Sequence, residues 1–147
     1  MKAMKAMKAM KAYAIAYGFT AFIFLLLDGI WLSFIAKDFF QSQLGPWLRE
    51  EVNLSLALTF YLFYALGITV FGVRPALQTG RWQTALLFGG LFGFFAYATY
   101  DMTNYITLAD WPWVVVMVDV AWGTLVTAVS AAAGWSLTQK TLQNIGP

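Results

Sequence analysis

The chain has 147 residues, of which 61% are hydrophobic, 18% aromatic and 11% charged, and its net charge is +2. Soluble domains carry about 25% charged residues, and so small a chain could not hide this much apolar surface in one core. An integral membrane protein with about four spans of roughly 20 residues is the economical reading. Neither cysteine nor histidine occurs. That excludes disulfides, thiol chemistry, imidazole-bound haem or chlorophyll, His-ligated zinc and His-based triads, so no cofactor is expected; a hard metal ion would have to bind through Asp and Asn oxygens, which are few.

Residues 1–9 belong to a perfect Met-Lys-Ala repeat that ends at Ala12. They read as a leader or tag-like segment, with a polybasic membrane-surface anchor as the alternative. Residues 10–147 then form one four-span domain. The first span covers about 13–36 and is retained, because no small-residue cleavage site follows it. Residues 37–51 are a connection broken at Gly45-Pro46, and Phe39, Phe40, Leu44, Trp47 and Leu48 hold it in the interface. The second span covers about 53–73 and ends at Arg74-Pro75, since proline disfavours helix at the residue before it. The third covers about 82–108. After Ala109-Asp110-Trp111, Pro112 opens the fourth, which runs to about 137, and a polar tail follows.

The expected fold is therefore all-α, an integral membrane four-helix bundle. Lys11, Arg74, Arg81 and Lys140 lie on the side of the termini, against Lys37 and Arg49 on the other, so the positive-inside bias puts both termini in the cytoplasm. Gly89, Gly90, Gly93 and Ala96 on span three, and Gly123, Thr124, Thr127, Ala128, Ala131 and Ala132 on span four, are small-residue spines for close helix packing. Trp47, Trp82, Trp111, Trp113 and Trp135 lie near span ends and read mostly as an aromatic belt.

Three acids interrupt the spans: Asp28, Asp101 and Asp119. Placing one at the centre of a spanning helix costs about 2.5–3.5 kcal/mol on insertion scales. Counted from the span ends, all three fall about 10–12 Å below the outer boundary. Helical spacing puts Asp28 with Trp31, Asp119 with Trp122, and Tyr97, Asp101 and Asn104 on one stripe. Lipid cannot satisfy these faces, so they turn inward, and a pocket lined by Asp28, Trp31, Tyr97, Asp101, Asn104, Asp119 and Trp122 is expected. No basic residue lies within a span to neutralise it. Three ionised carboxylates at such proximity require a bound cation, a shared proton or a protonated member. The bland alternative is a hydrogen-bonded core that only holds the bundle together.

The stretch Tyr100-Asp-Met-Thr-Asn-Tyr-Ile-Thr-Leu-Ala-Asp-Trp-Pro112, the later Asp119-Val-Ala-Trp-Gly123 and the earlier Leu27-Asp28-Gly-Ile-Trp31-Leu32 resemble a family of small bacterial membrane proteins, domain of unknown function 2177. Met102 stands where that family usually has Leu. The resemblance covers nearly all of residues 10–137 and implies a multi-pass protein of the bacterial cytoplasmic membrane. It brings no activity. The residues leave three functions open. One is proton-linked transport or binding of a small cationic or amphipathic solute. Another is a membrane enzyme or binding protein for a lipid or other hydrophobic molecule. The last is a structural subunit of a larger membrane complex. The expected partners are the lipid bilayer and either further copies of the chain or such a complex, with no nucleic acid.

Overall fold

The computed structural model describes residues 2–145, with side chains from residue 6 onward. All regular elements among the described residues are helical. Helix α1 (Lys2–Ile30) is prolonged by a π-helical turn, Trp31–Ile35. A short α2 (Lys37–Leu44) and a 3-10 turn (Gly45–Trp47) follow. Helix α3 (Leu54–Ile68) passes through a second π-helical turn (Thr69–Val73) into α4 (Arg74–Thr79). Helices α5 (Trp82–Thr107) and α6 (Trp113–Ile145) complete the chain. Four continuous stretches, Ala6–Ile35, Leu54–Thr79, Trp82–Thr107 and Trp113–Ile145, are long and apolar enough to cross a bilayer. The protein is an all-α membrane bundle of four spans.

Three boundaries differ from the sequence reading, each for a local reason. The second span does not stop at Arg74-Pro75. In a regular helix the Pro75 ring would strike the carbonyl of the residue four before it and leave that carbonyl unpaired. Here the preceding turn is π-helical, and the Arg74 N–H reaches the Thr69 carbonyl, five residues back. The wider turn gives the ring room, so helix continues to Thr79. Gly80, at φ 71°, then caps it in the left-handed conformation.

The connection at 37–51 is also more ordered than expected. Lys37–Leu44 is helical, with Asp38 in its first turn and Leu44 buried, and Gly45-Pro46 ends it as the sequence suggested. Finally, α6 starts one residue after Pro112, whose carbonyl accepts from Val115 N at 3.0 Å, and it carries the first part of the polar tail as helix to Ile145. Asp110, at φ 60°, takes the strained position of the α5–α6 connection, where Asp is among the better-tolerated residues.

The glycine spines set the packing. A Cβ on Gly89 would lie 2.6 Å from Ala131 Cβ, and one on Gly93 would lie 2.7 Å from Thr127 Cβ. The backbones of α5 and α6 therefore pass within reach of direct contact. Gly134 accepts Thr20 in the same way where α1 crosses α6. Helix α3 is tied in by a 2.8 Å hydrogen bond between Tyr64 OH and Thr127 Oγ1. Phe24, Ile68, Val126 and Ala131 form the main core, while Leu44, Trp111, Val115 and Val116 form a second cluster at the end away from the termini. The first part of α3 stands apart, with no buried residue before Ala65.

Filling the α5–α6 spine should loosen the bundle. Gly89→Leu is expected to cost about 1–3 kcal/mol by overpacking. Gly29→Ala meets nothing within 4 Å and should leave stability unchanged or slightly higher. Reversible unfolding in mixed micelles, followed by circular dichroism, checks the pair, and equal effects would contradict this packing.

Candidate functional site

The packing that brings α5 against α6 leaves a cavity of about 730 Å³ at the end of the bundle away from the termini. Phe24 and Asp28 line it from α1, Trp31 from the π-helical turn that prolongs it, and Phe60, Tyr61 and Tyr64 from α3. Tyr97, Tyr100 and Asp101 come from α5, with Trp111, Asp119 and Trp122 from the α5–α6 connection and α6. Helix α2 roofs it through Phe40 and Leu44. A volume of this size lies within the range of small-molecule sites.

Six of the seven residues expected from the sequence meet here: Asp28, Trp31, Tyr97, Asp101, Asp119 and Trp122. Asn104 does not line the cavity and is only half-buried on the last turn of α5. It lies a turn beyond Asp101, past the level where Trp111 closes that side.

The two Asp-x-x-Trp segments interlock across antiparallel helices. Trp122 Nε1 donates to Asp28 Oδ1 at 2.9 Å. The Trp31 and Trp122 rings stack with centroids 4.3 Å apart and 11° between planes. The Tyr61 phenol also faces the Asp28 carboxyl. Asp28, buried to 3% exposure, is thus an anchored acceptor between α1 and α6. The reciprocal bond is not made, because Trp31 Nε1 is buried without a hydrogen-bond partner.

Asp101 and Asp119 are arranged differently. Their carboxyls stand against one another across the α5–α6 contact. Two ionised carboxylates offer only acceptors, so a hydrogen bond between them exists only when one carries a proton. Asp101 is fully buried, and as a carboxylate neither of its oxygens has a donor among the described residues. The Trp111 indole N–H turns towards it without closing a hydrogen bond of good geometry. The acid trio of the sequence therefore divides into one anchored member, Asp28, and a facing pair in which Asp101 lacks a donor. Among the described residues no group of three such side chains is close enough to hold a metal ion.

Sequence reasoning missed several lining residues. Trp111 was assigned to the aromatic belt, yet it is 8% exposed under α2. Trp135 also leaves the belt, half-buried with its indole N–H unpartnered. Trp47, Trp82 and Trp113 remain exposed near span ends. Position near a span end is the only sequence signal for all five, and it cannot separate a belt residue from one covered by a folded connection. Tyr61 and Tyr64 carry the spacing of a helix face, which their uniformly apolar neighbours obscure.

These features define a four-span membrane protein with an acidic and aromatic cavity near one end. The family model described as predicted membrane protein, DUF2177, matches residues 13–136. The chain belongs to that family. No curated protein and no solved structure is recognisably similar to it.

The Trp122–Asp28 bond should appear as a coupling. In a double-mutant cycle of Trp122→Phe and Asp28→Ala, the two changes are expected to interact by about 0.5–1.5 kcal/mol, the range of interhelical hydrogen bonds in membranes. Strictly additive losses of stability would contradict the bond.

Proposed function

We propose that the protein binds a small amphipathic molecule in this cavity, and that the Asp101–Asp119 pair gives up or takes a proton as the ligand enters or leaves. One observation carries the reading: a fully buried carboxyl with both oxygens lacking donors, set in the wall of an aromatic-lined cavity. A group left unsatisfied in hydrocarbon is costly, and a ligand with a hydroxyl, amine or amide group relieves that cost. Aromatic rings around it supply the apolar contact. Lys37 and Arg49 at the cavity edge weigh against a simple cation as the ligand.

Coupling the proton exchange to passage across the bilayer makes the same site a proton-linked transporter. Four spans enclose little volume, so that form calls for an oligomer. In this reading both termini lie in the cytoplasm and the cavity opens towards the far side of the cytoplasmic membrane, following the distribution of basic residues.

Native mass spectrometry of the protein released from mild detergent tests the proposal. The wild-type chain is expected to retain a small-molecule adduct that solvent extraction recovers. Asp101→Asn, which keeps the shape but loses a charge-assisted acceptor, should retain about a tenth as much, since a hydrogen bond to a charged group contributes about 1.5 kcal/mol or more. A wild-type protein that is always bare, or a variant that retains as much as wild type, would overturn it.

A further inference from the structure

The connection between the first two spans carries five charges: Lys37, Asp38, Arg49, Glu50 and Glu51. Only the two cations line the cavity; the three acids do not. Lys37 is the first residue of α2, and Arg49 lies beyond the 3-10 turn, so two separate pieces of chain bring positive charge to one opening, with Gln41 between them. The Asp101–Asp119 pair lies on the wall formed where α5 meets α6. The cavity therefore carries two cations from the first connection and the acid pair on its α5–α6 wall, with aromatic residues from α1, α3, α5 and α6 around them.

Its side is apolar and exposed. Phe60 lines the cavity and is also 64% exposed, on the part of α3 that buries nothing. Leu32 and Val52, likewise lining and exposed, extend this flank to both sides. A molecule dissolved in the lipid reaches the cavity past these residues without crossing water.

We infer that the ligand is a membrane amphiphile with an anionic headgroup, a carboxylate or a phosphate. Its charge is held by Lys37 and Arg49, and its chain runs inward between Phe60, Tyr61 and Tyr97. This rests on the cavity reading above and adds the sign of the headgroup and the direction of access. At Lys37 and Arg49 charge complementarity selects an anionic head, while a hydroxyl or amide further along the same molecule answers Asp101.

Four brominated C18 probes in mild detergent test the inference: the carboxylate, the lysophosphatidic acid, the alcohol and the trimethylammonium compound. Trp31, Trp111 and Trp122 line the cavity and report binding as saturable fluorescence quenching that excess unbrominated probe reverses. Both anions are expected to bind about tenfold more tightly than the alcohol, the gain of one charge-assisted hydrogen bond. The double variant Lys37→Gln and Arg49→Gln should lower the anions to the level of the alcohol and leave the alcohol unchanged. If the alcohol or the ammonium probe binds as tightly as the anions, or the double variant changes nothing, the headgroup inference falls while the cavity reading stands. If none of the four shows reversible quenching, both fall together. Displacement of the carboxylate probe by acetate or inorganic phosphate alone would mean a free anion is the ligand and would overturn the amphiphile.

Discussion

A carboxyl group in hydrocarbon has to find its partners inside the protein, because lipid offers it none. This constraint bears on the cavity end of the bundle. Asp28, Asp101 and Asp119 all lie in the cavity wall, and with them Trp31, Tyr97 and Trp122. The bundle answers it unequally. Asp28 receives the Trp122 indole, and the Trp31–Trp122 stack fixes that donor in place. Asp101 has no donor in good hydrogen-bond geometry, only the Asp119 carboxyl facing it and the Trp111 indole turned towards it. A bundle whose acids served only to hold helices together would be expected to satisfy the most deeply buried one first. Here a fully buried acid is the one without a donor, and it sits in the wall of the cavity.

The close approach of α5 and α6 makes this geometry possible. Gly89 and Gly93 bring the helices together, and further along the same contact the Tyr97 ring lies over Gly123. Gly123 is one turn from Asp119, and Tyr97 one turn from Asp101, so the glycine contact fixes the level at which the two carboxyls meet. The same small residues that pack the bundle thus set the register of the acid pair.

Much of this is legible in the sequence, because the physics involved is local or one-dimensional. Hydrocarbon thickness makes the four spans readable, small-residue spacing reveals the α5–α6 seam, and helix-face spacing groups the three acids with the aromatic residues that line the cavity beside them. What escapes the sequence is long-range. The π-helical turn that lets α3 pass through Pro75 has no residue signature of its own. The folding of residues 37–44 into a roof depends on Trp111 and Val115, some seventy residues away, and it takes Trp111 out of the interface. Asn104 shares the Asp101 stripe, but a helix face says nothing about where a cavity stops. The division of three acids into one anchored and two paired follows from which indole reaches which carboxyl, and equal spacing in the two Asp-x-x-Trp segments cannot tell the partners apart.

The central claim is that Asp101 and Asp119 face each other at the cavity wall. The chain has no cysteine, so a pair of introduced thiols is unambiguous. Asp101→Cys combined with Asp119→Cys, treated in membranes with an oxidant or a short bifunctional thiol reagent, should form an intramolecular cross-link in high yield. Asp101→Cys combined with Met117→Cys, whose side chain is turned out to the lipid, should not. Failure of the first pair to cross-link, or equal yields from both, would contradict the account.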